Sequence, residues 1–594
     1  MRLADYVADF FVQNGITQAF SVVGGGSMYL NDALGHKEGL KVIYTQHEQA
    51  ASMAAEGWAR ITGDPAGVCV TSGPGGVNAM NGVLGAWLDS IPMFVLSGQV
   101  RYATTVQSTG LNLRQQGEQE YPIVDSVRPM TKYAVMLDDP SSIRYHLERA
   151  LYESTTGRRG PVWIDIPMDF QNAQVDPESL EEFVPPVHHY DYKLDEVLDA
   201  LSHARRPVIV GGSGIRSSES LGSFRTMVHK LGAPVLGAQS IVDLFPWSDN
   251  LYMGTFGSLG GRAGNYMVQH ADLILSLGCS LSYKHTGFNY ESFAPQAKII
   301  SVNVEPDELK KPNVTIDLPI VGDIAEFIPL LTQAAPERGF SREGWLTWCR
   351  GLKDAYPTYQ EKFAREGKVN PYEAGRRLFE LLPDDGIVLL GNGVGSVTFL
   401  QAGVQTESQR NFGNANCGSM GWDLPAAMGA AVAAERPVWL IAGDGSLQMN
   451  IQELQTIDFN KIPVKIVLFN NGGYESIVIS QTKAFGRTCG CVASCGEGVP
   501  NFEAIAKAYN FSYRRCEKNS DIASALQWCA GVEGSAFLEV LQDENQGLEP
   551  RVQSKRLPDG SIASPVLTDL SPFLPEEEVE GIMDDLQRLT ENNG

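Results

Sequence analysis

The chain has 594 residues, 43% hydrophobic and 20% charged, with a formal net charge of −24. That length exceeds a single hydrophobic core, so about two to four domains are expected, and the composition is that of a globular protein. The negative charge disfavours nucleic-acid backbones and anionic membranes as partners, since both need a basic face.

Residues 1–15, MRLADYVADFFVQNG, read as an amphipathic helix with acids and a base mixed through it. A secretion signal would instead begin basic and continue with an unbroken apolar core. No run of about 18 apolar residues occurs, so no membrane span is expected. The nine cysteines are mostly scattered, as in a reduced, cytoplasmic protein. Cys489, Cys491 and Cys495 cluster in CGCVASC. They lack both a C-x2-C pair and an obvious fourth ligand, and read as free thiols rather than a metal site.

Three α/β blocks follow one another. Residues 1–180 alternate β-rich runs (KVIYTQ, AGVCVTS, PMFVLSG, GPVWIDIP) with helical stretches. This rhythm predicts a parallel sheet covered by helices. A Pro- and acid-rich linker leads to a second block, 190–335, with RPVIVGGSG, APVLGAQ, ADLILSLG and AKIISVNV. A helical linker leads to a third, 368–545, with GIVLLGNG, RPVWLIAGDG, PVKIVLFNNGG and SAFLEVLQ. Residues 546–594 read as an arm or lid. No internal repeat is visible.

The third block holds the most informative stretch, from Gly443 to Gly473. VWLIA reads as a strand with Asp444 just past its end, and VKIVLF as the next strand with Asn471 just past its end. A crossover helix between parallel strands brings their carboxyl ends together, and open α/β sheets bind ligands at that edge. A carboxylate, an amide oxygen and the Gly473 carbonyl make a hard oxygen site suited to Mg²⁺ completed by phosphate. Gly443 and Gly445 expose backbone N–H groups, and the helix start at Ser446 adds its dipole. For GDG alone, an ordinary strand-end turn would explain the residues. Spacing, partners and order together favour a magnesium-bridged diphosphate.

This stretch closely resembles the signature of thiamine-diphosphate enzymes, and the resemblance covers nearly the whole chain. The order of pyrimidine-binding domain (1–180), central domain (190–335) and diphosphate-binding domain (368–545) is similar to that of acetolactate synthase and pyruvate oxidase. The implied fold is the three-domain α/β fold of those enzymes, each domain a parallel sheet covered by helices.

The resemblance implies roles for further residues. YTQHEQAASMAAEGWAR places Glu48 where the family has its activating glutamate, which exchanges a proton with the cofactor's aminopyrimidine ring. Burial would raise its pKa and suit that task. NCGSMGWDLPAA resembles the segment that holds the cofactor bent, with Met420 beneath it and the Gly418 carbonyl accepting from its amino group. GNGVGS resembles the loop that binds the far end of the diphosphate through Gly393, Gly395 and Ser396. TSGPGG, 71–76, is Gly-rich but lacks the Lys-Ser/Thr of a nucleotide P-loop. GEQEYPIV resembles the FQE region of acetolactate synthases, with Gln119 as the glutamine that touches the reacting intermediate and Glu118 in place of phenylalanine.

Within the family, GSLGGRAGNYMVQHADLILSLG, HTGFNYESFAPQAKIISVNVEPDELKKP and NNGGYESIVISQTKAFG resemble acetolactate-synthase-like proteins of sugar and polysaccharide pathways. The implied reaction is decarboxylation of a 2-keto acid such as pyruvate, with transfer of the two-carbon unit to a carbonyl acceptor. That acceptor is a second 2-keto acid or a keto-sugar. Ser480 stands where acetolactate synthases carry a tryptophan that narrows the acceptor pocket. Relatives hold FAD in the central domain. VGGSGIRSS offers Gly211, Gly212 and Gly214, but Ser280 replaces an arginine near the flavin, so FAD stays open. The alternatives are a flavin-linked oxidase, a simple 2-keto-acid decarboxylase, or a non-catalytic cofactor-binding subunit. The family also implies a homodimer or homotetramer with each active site between two chains.

Overall fold

The computed structural model describes every residue except 338, 341, 557, 558, 593 and 594. It contains three six-stranded sheets, all parallel. The first has β1 (Gln18–Ser21), β2 (Lys41–Tyr44), β3 (Ala66–Val70), β4 (Met93–Gln99), β5 (Tyr133–Met136) and β6 (Pro161–Pro167), in the order β2-β1-β3-β4-β6-β5. The second has β7 (Pro207–Gly211), β8 (Val235–Gly237), β9 (Tyr252–Thr255), β10 (Leu273–Leu277), β11 (Lys298–Asn303) and β12 (Leu318–Val321), ordered β12-β11-β10-β7-β8-β9. The third has β13 (Ile387–Leu390), β14 (Arg410–Gly413), β15 (Val438–Gly443), β16 (Val464–Asn470), β17 (Ser512–Cys516) and β18 (Ala536–Leu541), ordered β14-β13-β15-β16-β18-β17.

The inner strands are apolar runs because helices cover both faces of each sheet. Every residue of β3, β4, β6, β7, β10 and β13 is buried. The first and third sheets have the same strand order, although no repeat shows in the sequence. The middle sheet has the order of a dinucleotide-binding fold.

A close helix contact joins the first unit to the third. The fifteen-residue helix Glu48–Thr62 is capped at its start by His47, whose side chain accepts from the Gln49 N–H, and at its end by Gly63 in the left-handed region at φ 84°. Its Ala-rich face packs on the helix Asp423–Ala434. A Cβ placed on Gly57 would lie 2.0 Å from the Ala426 carbonyl oxygen, and one on Gly429 would lie 1.9 Å from the Ala54 carbonyl oxygen. Position 57 thus opposes 426 and 54 opposes 429, so the helices run antiparallel, backbone against backbone.

Beside this crossing, the fully buried Glu56 accepts from Trp422 Nε1 at 2.7 Å and pairs with Arg60 at 2.6 Å; Arg60 also pairs with Asp89. Burial pushes the Glu56 carboxyl up to about 7, against the pull of Arg60.

The C-terminal segment is an arm on the middle unit. Arg262 donates to the Pro572 carbonyl, Asn265 donates to the Leu567 carbonyl, and Ile582 and Leu586 of the helix Glu576–Asn592 enter the middle core. Among the described residues, no helix is long and apolar enough to cross a membrane.

The crossing gives a direct test. Gly429→Ala favours an isolated helix by about 1 kcal/mol. Here it should cost about 1–3 kcal/mol, because the new methyl meets backbone that cannot rotate away. A lower unfolding midpoint is expected; an unchanged one would show that the helices part freely.

Candidate cofactor and active site

Strands β15 and β16 lie side by side, with Gly443 opposite Phe469. Asp444 and Asn471 therefore leave the sheet together. Asp444 is 1% exposed. Its Oδ2 accepts the backbone N–H groups of Asn471, Gly472 and Gly473 at 3.1, 2.8 and 3.1 Å, and its Oδ1 accepts that of Gly445 at 2.8 Å. Burial pushes its pKa up to about 6, while these donors pull the other way.

Asn471 directs its Nδ2 at Glu475 Oε2, 3.0 Å away, and at Gln542 Oε1, 3.3 Å away. Its Oδ1 is buried without a hydrogen-bond partner. Buried acceptors are seldom left without a donor or a cation, and amide and carboxylate oxygens suit a hard cation. The residues present therefore fit Mg²⁺.

The turn after Asn471 depends on glycine. Gly472 has φ 81° and Gly473 φ 150°, and a Cβ on Gly473 would strike the Cys491 carbonyl oxygen at 2.1 Å. A Cβ on Gly445 would strike the Tyr474 ring at 2.1 Å.

Two further loops reach the same edge. Ser446 Oγ accepts from the Gly421 N–H at 2.9 Å, drawing in the segment with half-buried Met420 and exposed Gly418. Asn392 donates to the Ser419 carbonyl at 2.7 Å, which brings the 391–396 loop alongside. This loop opens the helix Val394–Ala402, with Gly393 as its N-cap. The Ser396 hydroxyl donates to the Ile441 carbonyl at 3.0 Å, which leaves the loop its backbone N–H groups at the helix start. A Cβ on Gly395 would meet Gln542 and Phe469, each at 2.9 Å. The 391–396, 418–423, 443–446 and 471–473 segments thus converge at one sheet edge.

Glu48 stands elsewhere. It begins its helix at the carboxyl edge of the first sheet, accepts from Asn78 Nδ2 at 3.0 Å, and is half-buried in the single chain rather than buried as expected. Gly75 lies beside it: a Cβ there would be in ordinary contact with Oε1 at 3.5 Å but crowd Thr71 Cγ2 at 2.9 Å. Gln119 is exposed with φ 63°, its carbonyl oxygen packed on Gly73. Residues 71–76, Glu48 and Gln119 thus share this first edge.

The antiparallel helix pair joins the units that carry the two edges. Arg60 lies over Trp422, 5.4 Å from its ring centre. Glu48 is twelve residues before Arg60 on the same helix, roughly 18 Å at the rise of an α-helix. Trp422 also bonds Glu56, eight residues along the helix from Glu48, and Ser419 donates to Asn81 Oδ1 on the helix whose Asn78 holds Glu48.

Three family models match the chain in order: the thiamine pyrophosphate enzyme N-terminal TPP binding domain over residues 1–123, the central domain over 194–331, and the C-terminal TPP binding domain over 393–540. The acetolactate synthase large subunit of Corynebacterium glutamicum is 31% identical over 521 residues, 86% of this chain and 81% of that protein. This chain belongs to the thiamine pyrophosphate enzymes. It is also similar to the acetolactate synthase large subunit of Haemophilus influenzae, 29% identical over 562 residues with 92% and 95% covered. The chloroplastic acetolactate synthase of Arabidopsis thaliana is 29% identical over 585 residues, with 95% and 84% covered. It is a thiamine-diphosphate-dependent enzyme of the acetolactate-synthase-like type.

Sequence reasoning missed Glu475 and Gln542, which flank Asn471. Glu475 is 8% exposed, its Oε1 has no hydrogen-bond partner, and burial pushes its pKa up to about 7. An acid four residues past Asn471, directly after Gly-Gly-Tyr, was the available signal; nothing local marked Gln542.

In the middle unit of this thiamine pyrophosphate enzyme, a cleft of about 950 Å³ opens at the carboxyl ends of β7 and β10, lined by Ser213, Ser217, Gln239, Ser280 and Asp323 among others. Gly212 and Gly214 serve chain packing there: a Cβ on Gly212 would lie 2.2 Å from the Gly278 carbonyl oxygen. The sulfurs of Cys491 and Cys495 lie 3.9 Å apart, and all nine cysteines are free. Among the described residues, no group of three or more His, Cys, Asp or Glu is placed to hold a metal.

Asp444→Asn and Asn471→Ala should each weaken Mg²⁺-dependent retention of thiamine diphosphate by roughly a hundredfold, about 2.7 kcal/mol. Calorimetric titration of the metal-free protein checks this. Wild-type affinity in both variants would rule out a metal at this edge.

Proposed function

We propose that the protein is a carboligase that decarboxylates a 2-keto acid, pyruvate foremost, and transfers the two-carbon acyl unit to a carbonyl acceptor. A second 2-keto acid and a keto-sugar are the two acceptor classes. The observation that carries this reading is the convergence of Asp444, Asn471, Gly473 and the Met420 segment at one sheet edge, with a buried amide oxygen left for a cation.

In this reading Asp444, Asn471 and the Gly473 carbonyl hold Mg²⁺. Backbone N–H groups of Gly393, Gly395 and Ser396, with Gly443, Gly445 and Ser446, face the diphosphate. Met420 supports the bent cofactor and the Gly418 carbonyl accepts from its amino group. Bound thiamine diphosphate supplies an electron sink for the acyl carbanion. Glu48 carries the proton that activates it, and Gln119 contacts the reacting groups.

Room for a large acceptor is supported by the helix Glu475–Phe485, on which Ser480 is exposed and Ile477 is 46% exposed. The central cleft lies where a sheet of this order reverses its winding, which supports FAD there. Free thiols throughout support a cytoplasmic setting.

A complete site needs Glu48 from one copy and Asp444 from another, so the working form is a homodimer or homotetramer. The helix Pro74–Asp89 supports this with Val77, Leu84 and Leu88 exposed along one face. Sedimentation should give a dimer or larger; a fully active monomer would defeat the shared site.

The reaction is tested by supplying pyruvate, thiamine diphosphate and Mg²⁺ and following CO₂ and products by NMR, with and without a keto-sugar. A ligated product is expected. Free aldehyde would favour the simple decarboxylase, and flavin-linked oxygen uptake the oxidase. Glu48→Gln should keep cofactor affinity and lose about 10²–10⁴-fold in turnover; undiminished turnover would remove Glu48 from the chemistry.

A further inference from the structure

Asn471 can serve a cation only through Oδ1, and an asparagine amide must be told which way to face. An amide turned by 180° would present NH₂ to the metal and bind nothing. Three observations bear on what sets its direction. Glu475 follows Gly472, Gly473 and Tyr474, begins the helix Glu475–Phe485, and is 8% exposed. Its Oε2 accepts from Asn471 Nδ2 at 3.0 Å and from Gln542 Nε2 at 2.5 Å. Gln542, 1% exposed, turns its own Oε1 back to Asn471 Nδ2 at 3.3 Å.

The logic of this triangle runs one way. Oε2 accepts whether or not Oε1 carries a proton, so it orients the NH₂ groups of both neighbouring amides toward itself. Gln542, once oriented, offers Asn471 a second acceptor. Asn471 Nδ2 then has both of its hydrogens engaged, and Oδ1 is left buried and unpartnered on the other side. Reversing the Asn471 amide would set its oxygen against two acceptors.

We propose that Glu475, acting with Gln542, is the positioning residue that fixes the Asn471 amide with its oxygen toward the divalent cation. The proposal rests on the cation site described above. It assigns Glu475 no contact with substrate or metal: its Oε1 lies outside the triangle, and its work is done through Oε2. Outer partners of metal ligands commonly carry 10–100-fold of metal affinity.

The test separates orientation from charge. Mg²⁺ is titrated into the metal-free protein at saturating thiamine diphosphate, with binding read by calorimetry and the melting temperature of each metal-free variant as a fold control. Glu475→Ala removes the acceptor. Glu475→Met removes it while filling the volume, and stands in if the alanine variant does not fold. Glu475→Gln keeps one oxygen able to accept from both amides but carries no charge.

Expected are a Kd for Mg²⁺ raised about 10–100-fold in E475A and E475M, and one within about threefold of wild type in E475Q. Wild-type Mg²⁺ affinity in E475A or E475M would overturn the proposal. So would a loss in E475Q as large as in E475A, because charge rather than orientation would then be acting. A wild-type protein that binds thiamine diphosphate without any Mg²⁺ would remove the cation site itself, and the proposal with it. Failure confined to the variants touches only the positioning role.

Discussion

Two helices that touch through their backbones set the positions of everything that matters here. Glu48–Thr62 and Asp423–Ala434 approach so closely that neither Gly57 nor Gly429 has space for a methyl group. Small residues let the helix axes close up, and the price is that the helices can hardly shift relative to each other. The buried Glu56, Arg60, Asp89 and Trp422 cluster adds direction to the contact. A buried charge network adds little net stability, but breaking it is costly. The crossing ties the first sheet to the third, with Glu48 at the start of one helix and the Met420 segment leading into the other.

That arrangement gives the molecule its functional logic. Each outer unit has the same strand order and gathers polar residues at its carboxyl edge. One edge gathers Glu48, residues 71–76 and Gln119, where a proton can be held. The other gathers Asp444, Asn471 and the helix starts at Val394 and Asp444, where a cation and an anion can be held. In the proposed reading, chemistry that needs both edges is brought together by a second copy.

Twelve of the eighteen strands in the three large sheets stand out in the sequence, and they include all but one of the interior strands. Five of the six unrecognised strands, β5, β9, β12, β14 and β17, lie at sheet edges. An edge strand needs no unbroken apolar run: β17 is SYRRC, and β12 carries Pro319, tolerated where no further strand pairs. The sixth, β1, is interior, but its sequence QAFS has no β-branched residue and a single large apolar one. The common topology of the outer units was also invisible. Strand order depends on which elements pair at long range, and different side chains satisfy the same arrangement.

The sequence by itself determined the three-unit α/β architecture, the placing of Asp444 and Asn471 past neighbouring strands, and the family. The first two rest on local chemistry, apolar runs of strand length, turn residues at their ends and a crossover of fixed span; the family rests on the resemblance of its motifs. Tertiary structure alone decided that Glu48 is half-buried within one chain, that the Ser396 hydroxyl belongs to β15, that Gly212 packs on Gly278, and that Glu475 and Gln542 bracket Asn471. These depend on residues distant in sequence meeting at hydrogen-bond range, as Asn471 and Gln542 do across 71 positions. No periodicity or spacing encodes such a meeting, because it is a property of packed sheets and helices, not of the segments that build them.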